Sequence, residues 1–231
     1  MSRELVFGST SRSLAGHLFS PSERERSGAG ILFIHGLGSD QRGYHRRAEA
    51  AAERLGATCL TFDLSGHGGS GEPGEQFSPR DHLDDAVAAF DTLLDSGEVE
   101  AERVGVCAAS YGAYIAALLI SIRTVKSLLL RAPALYPDRC LDRKDGARQS
   151  SLEAASDSAA LRGVADYDGP IMVVESERDE IIPRSIVEAY LEVCRDGRHE
   201  VIPEAGHRLA KERWQVMFIE ILVSWFGGTA L

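Results

Sequence analysis

Val104-Gly105-Val106-Cys107-Ala108-Ala109-Ser110-Tyr111-Gly112-Ala113-Tyr114 passes from a β-rich apolar run straight into an Ala/Leu-rich one, with a serine at the junction. A serine on so sharp a strand-to-helix turn is forced into strained backbone geometry, which demands small residues two positions to either side. Ala108 and Gly112 fill those positions. Glycine is the usual first residue, so Ala108 adds one methyl group, expected to tighten the strand–helix crossing without closing it. A serine at a helix start also serves merely as a cap, and the rest of the chain decides between the two readings.

Outward from this junction, strands and helices alternate. Ile31-Leu32-Phe33-Ile34 is a continuous apolar run, as a strand covered on both faces would be. A helical stretch follows over 41–55, with Asp40 as its expected N-cap, and then a strand over 57–62. Ser78-Pro79-Arg80-Asp81 combines an N-cap, a first-turn proline and an acid at the third position, and apolar residues recur behind it at helical spacing from Leu83 to Leu94. Further strands are read over 103–107, 125–130, 171–174 and 200–202, and further helices over 111–122, 184–194 and 211–225. The runs 4–7 and 14–19 read as an opening hairpin.

The alternation predicts an α/β fold with a mostly parallel central sheet of about eight strands, helices on both faces and right-handed crossovers. In such sheets the chemistry sits where strands end at their carboxyl side. We read residues 1–231 as a single domain. The interval 137–168 breaks the alternation and is expected to be a short lid or mobile insertion, with one helical candidate near 151–161.

Composition narrows the function classes. With 231 residues, 44% hydrophobic and 26% charged, the chain has apolar material for one well-buried core. The 35 acidic against 25 basic residues, a net charge of −10, argue against nucleic acid or an anionic membrane as partner, because phosphate binding needs a basic face. Cys59, Cys107, Cys140 and Cys194 lack metal-site spacing, so neither a zinc site nor a disulfide framework is indicated, and reduced thiols fit better. The first residues lack the pattern of a secretory leader, and no window reaches the roughly 18 apolar residues of a membrane span. A cytoplasmic, soluble protein is expected, its oligomeric state left open between monomer and homodimer.

A serine hydroxyl is a weak nucleophile until a base removes its proton, and a histidine base needs a carboxylate to fix its tautomer. Both should lie in loops after later strands. The loop after Val174 offers Glu177, Asp179 and Glu180, and the loop after Ile202 runs Pro203-Glu204-Ala205-Gly206-His207. Another acid, Asp138, follows the preceding strand.

With these residues in view, the chain resembles an α/β-hydrolase from about Leu14 to Phe226. His35-Gly36 after a strand resembles the oxyanion loop of that family; Asp63-Leu64-Ser65-Gly66-His67-Gly68-Gly69-Ser70 resembles its Asp-x-x-Gly-His-Gly-x-Ser loop. Ser110, Asp179 and His207 follow in the family's chain order of nucleophile, acid and base. The resemblance implies Ser110 as nucleophile, His207 as general base, Asp179 as the acid that orients it, and the backbone N–H groups of Leu37 and Tyr111 as an oxyanion hole. It calls for no cofactor and no metal. His35, Asp63 and His67 are expected to organise loops, whereas His17, His45, His82 and His199 have no motif context and are read as surface or packing residues.

Within the family the short connection after Ala134 resembles the small-lid dienelactone-hydrolase and prolyl-oligopeptidase-like type, an argument by fold-level analogy. The implied activity is a serine hydrolase, carboxylesterase- or thioesterase-like, that cleaves a small-molecule acyl substrate. An acyltransferase or an aminopeptidase would use the same three residues, and a non-catalytic ligand-binding protein would keep only the pocket. Acids of the 137–168 segment, Asp138, Asp142, Asp145, Glu153 and Asp157, could meet a substrate ammonium, but Arg139, Arg143, Lys144 and Arg148 are interleaved with them.

Overall fold

Eight strands form one sheet in the order β1-β2-β4-β3-β5-β6-β7-β8. They are β1 (Ser2–Ser9), β2 (Arg12–Phe19), β3 (Gly30–Ile34), β4 (Thr58–Phe62), β5 (Val104–Ala109), β6 (Ser127–Arg131), β7 (Ile171–Ser176) and β8 (Gly197–Ile202). Only β2 runs against the others: it pairs antiparallel with β1 and β4, and every other pairing is parallel. The helices are α1 (Arg42–Leu55), α2 (Pro79–Leu94), α3 (Tyr111–Leu119), α4 (Ala159–Asp166), α5 (Arg184–Val193) and α6 (Glu212–Gly228). This computed structural model describes residues 1–10, 12–71, 75–144, 150–229 and 231.

Successive side chains of a strand point to opposite faces, so strands covered on both sides are apolar at every position. Leu32, Ile34, Val106, Ala108, Leu128 and Leu130 face a core closed by α2, α3, α4 and α5. Ile31, Phe33, Cys107, Ala109 and Leu129 face a second core closed by α1 and α6. Each fully buried leucine or phenylalanine in these layers contributes roughly 1.5–3 kcal/mol. All four cysteines are free, and burial pushes the Cys107 thiol up to about 12. Among the described residues no helix is long and apolar enough to cross a membrane, and no group of three or more His, Cys, Asp or Glu residues could hold a metal ion.

Local signals set most helix boundaries. Ser78 and Asp81 form the expected capping box, the serine side chain accepting from the Asp81 N–H and the Asp81 carboxylate from the Ser78 N–H. For α1 the N-cap is Gln41 rather than Asp40, although Asp40 Oδ1 still accepts the Arg42 N–H at 2.9 Å as an Asx turn. The helical candidate over 151–161 resolves into a 3-10 turn, Leu152–Ser156, followed by α4, whose Ala159 N–H is taken by Asp138 Oδ1 at 2.6 Å. Ala160, Leu161 and Val164 of α4 are buried in the first core, so this part of 137–168 belongs to the helical layer. Asp145 and Arg148 lie outside the described residues.

The strand–helix junction depends on Gly112. A Cβ there would lie 2.4 Å from the carbonyl oxygens of both Ile34 and His35, which are backbone atoms that cannot swing aside. Ala108, by contrast, is fully buried with its methyl group accommodated in the first core. Gly112→Ala is expected to cost more than about 3 kcal/mol, and Ala108→Gly about 1–2 kcal/mol, one buried methyl group added to the ordinary cost of glycine in a strand. Urea unfolding of the two variants checks this, and equal losses would contradict it.

Candidate active site

The sheet reverses its strand order around β3, which has β4 on one side and β5 on the other. Loops leaving the carboxyl ends of β3 and β5 therefore diverge and leave a crevice between them. Ser110 sits there with φ 55 and ψ −123, a backbone conformation that disfavours a side chain and costs on the order of 1–3 kcal/mol. Its own backbone over-determines the position: the Ser110 N–H donates to Arg131 O at 2.9 Å, and Ser110 O accepts from the N–H groups of Ala113 and Ala134 at 3.0 and 3.1 Å.

The structure brings Ser110, His207 and Asp179 together. Ser110 Oγ lies 3.1 Å from His207 Nε2, and His207 Nδ1 lies 3.0 and 2.9 Å from the two Asp179 oxygens. With Nδ1–H donated to the carboxylate, Nε2 is left as an acceptor for the serine hydroxyl. Asp179 Oδ1 also accepts the N–H groups of Ile181 and Ile182 at 2.9 and 2.8 Å. Burial acts to raise the Asp179 pKa, but the hydrogen bond from His207 and these two N–H donors outweigh it and hold the carboxylate below its usual range.

The other candidate acids are occupied elsewhere. Glu177 accepts the Glu204 N–H at 2.7 Å, and Glu180 accepts the His207 backbone N–H at 3.1 Å, so both brace the loop that carries the imidazole. Asp138 caps α4 and pairs with Arg162.

The loop after β3 approaches Ser110 closely, since a Cβ on Gly36 would lie 3.2 Å from Ser110 Cβ. The Gly36 carbonyl accepts from His35 Nδ1–H at 2.8 Å and from the Ser39 N–H at 3.1 Å. In a trans peptide the N–H of Leu37 points opposite to that carbonyl, away from the His35 ring. Tyr111, at the first position of α3, carries one of the N–H groups that every helix start leaves without an intrahelical partner.

A layer of polar residues holds these loops. His35 Nε2 accepts the Leu64 N–H at 3.0 Å, and burial lowers the His35 pKa to about 4, in keeping with a neutral ring that donates at one nitrogen and accepts at the other. Asp63 gathers the N–H groups of Gln41 and Gly69 at 2.7 and 2.8 Å, and His67 Nε2 accepts the Gly38 N–H at 3.2 Å. These three act as the sequence led us to expect.

His82, read as a surface or packing residue, is a packed one that also bonds into the site: it is 3% exposed, with Nδ1 at 2.7 Å from the Tyr111 hydroxyl and Nε2 at 3.0 Å from Ser65 O. Burial lowers its pKa. Its signal was its position, four and seven residues before the buried Ala86 and Ala89 on the inner face of α2. A cavity of about 240 Å³ adjoins the site, lined by Leu37, Ser65, His67, Phe77, His82, Tyr111 and Lys144 among others.

This sheet and this arrangement define an α/β-hydrolase. The chain belongs to the Hydrolase_4 family, described as serine aminopeptidase, S33, which matches residues 25–155. It is 27% identical over 216 residues to the uncharacterized protein Rv2307c of Mycobacterium tuberculosis, the match covering 89% of this chain and 72% of the relative. Among solved structures it is similar to Est1E from Butyrivibrio proteoclasticus, described with ferulic acid bound, at TM-score 0.80 and 16% identity over 97% of this chain and 98% of that one. It is also similar to a thermophilic esterase from Thermogutta terrifontis, at TM-score 0.72 and 16% identity over 99% and 100% of the two chains. At those identities the structural likeness speaks for the fold. Family and fold together make the chain a hydrolase.

Two outcomes follow from the local geometry. Ser110→Gly relieves the positive φ and is expected to raise stability by about 1 kcal/mol, read from the urea midpoint, because glycine adopts that conformation freely. His35 binds its proton more weakly folded than unfolded, so stability falls as pH drops from about 6.5 towards 4. Between pH 7 and 5 this one residue should account for about 2 kcal/mol. His35→Gln should lose correspondingly less stability over that interval.

Proposed function

We propose that this hydrolase is a serine esterase or thioesterase that acts on a small-molecule acyl substrate through Ser110, His207 and Asp179. The observation that carries the reading is the continuous contact from Ser110 Oγ through the His207 ring to the Asp179 carboxylate, at 3.1 and 2.9 Å. In the first half of the reaction Ser110 Oγ attacks the acyl carbon while its proton passes to His207 Nε2. The resulting imidazolium is stabilised by Asp179 and gives the proton to the leaving alcohol or thiol as the carbon–oxygen or carbon–sulfur bond breaks. Water then attacks the acyl carbon while losing a proton to the same nitrogen, and the acid leaves as the bond to Ser110 Oγ breaks and that oxygen takes the proton back from His207. The negative oxygen of each tetrahedral intermediate meets the N–H groups of Leu37 and Tyr111, with the positive end of α3 behind them.

The cavity beside Leu37 and Tyr111 suits the acyl portion. Its volume is about 240 Å³, and Leu37, Phe77 and Tyr111 give it apolar walls beside the proposed oxyanion donors. A second reading, hydrolysis of an N-terminal peptide bond, is favoured by the family's description as serine aminopeptidase. The same three residues would serve it, with the amine as leaving group.

A fluorophosphonate is expected to label the protein at Ser110. Ser110→Ala and His207→Ala should each lower kcat/KM on p-nitrophenyl butyrate at least about a thousandfold. Full activity in either variant overturns the mechanism. Faster cleavage of aminoacyl p-nitroanilides than of p-nitrophenyl butyrate would favour the second reading.

A further inference from the structure

The last residue of β6, Arg131, touches the elbow, the base loop and the end of β7 from which the acid loop leaves. Its carbonyl accepts the Ser110 N–H at 2.9 Å. Its guanidinium Nη1 donates to the His207 carbonyl at 2.9 Å and to Ser176 Oγ at 3.3 Å. Ser176 in turn opens the acid loop, since its carbonyl accepts the Asp179 N–H at 3.0 Å. Nothing in the sequence singles Arg131 out.

Two features separate this arginine from an ordinary structural one. It is 8% exposed, and among the described residues no carboxylate forms an ion pair with it. A buried cation without a paired anion is costly, and cores do not keep one for stability alone. Its hydrogen-bond acceptors lie on the base loop and at the head of the acid loop, and Tyr44 and Arg47 of α1 lie beside it. Burial draws the guanidinium pKa down, whereas Tyr44 and Asp179 draw it back up and the neighbouring Arg47 opposes them. Both hydrogen bonds leave a single nitrogen, Nη1, and the planar guanidinium that carries it fixes the direction of its two hydrogens, which a freely rotating ammonium does not.

We propose that Arg131 is a positioning residue that sets the distance between the imidazole of His207 and the hydroxyl of Ser110, by clamping the base loop to the strand end that also anchors the elbow. The proposal rests on the reading of Ser110 and His207 as nucleophile and base. A displacement of about 1 Å between such groups is enough to cost about a hundredfold in rate. Because Arg131 is not placed at the cavity beside Leu37 and Tyr111, its loss should spare substrate binding.

The test compares Arg131→Met, Arg131→Lys and Ser176→Ala with the natural chain, each preparation titrated with a fluorophosphonate so that rates are expressed per reactive site. For Arg131→Met the expected result is a kcat lowered about 10- to 100-fold with KM changed less than about threefold. The second-order rate of Ser110 labelling should fall in parallel. Arg131→Lys, which keeps the charge and a donor, should recover part of that loss, and Ser176→Ala should lower kcat about two- to fivefold.

An Arg131→Met protein that is less stable but keeps its kcat per reactive site makes the residue merely structural and overturns the proposal. So does a loss carried wholly by KM. Should Arg131→Met fail to fold, the lysine variant and Ser176→Ala decide: an unchanged kcat in both overturns the proposal, and a graded loss supports it. Failure of the underlying reading is distinguishable, because it would show as activity surviving in Ser110→Ala, whatever the Arg131 variants do.

Discussion

Three strand ends converge on one backbone contact. The first turn of α3 lies against the carbonyls of Ile34 and His35 at the end of β3, and only the missing side chain of Gly112 lets the two backbones come so close. That approach fixes where the helix starts, so the turn before it must accept an unfavourable φ at Ser110. Hydrogen bonds from the ends of β6 and its following loop then hold the turn in place. Position and strain of the serine are thus two results of one packing constraint, and the loops carrying Leu37, Asp179 and His207 are arranged around it.

Much of this was legible because the signals were local. The apolar runs of β3, β5 and β7 announce strands buried on both faces, and the capping box at Ser78 announces α2. Other elements were set by partners distant in the chain. β8 begins with Gly197-Arg198-His199, polar residues that read as loop but pair with β7 from Ile171 onward. The start of α4 depends on Asp138, some twenty residues earlier, and no propensity within 151–161 reveals it. A local pattern yields an element; a long-range hydrogen bond moves its boundary.

The candidate site shows the same division. Loop composition offers Glu177, Asp179 and Glu180 after Val174 and the family resemblance selects Asp179, but why that one meets the imidazole is a matter of direction. Asp179 is drawn inward by the N–H groups of Ile181 and Ile182, while the longer Glu177 and Glu180 reach across to the backbone of the next loop. Buried polar groups lying beneath the site are less legible still. His82 and Arg131 sit among apolar residues on a helix face and at a strand end, and their partners are residues 17 to 76 positions away.

The strained backbone at Ser110 also bears on how this chain would change over generations. Folding gains nothing from a side chain at that position, so stability alone would favour glycine there. On the proposed reading of Ser110 as nucleophile, the hydroxyl's part in catalysis is what would keep a serine there. In a lineage released from that requirement the first residue to drift would be the one at the centre of the site, while Gly112, which the fold itself requires, would persist as the trace of an abandoned activity.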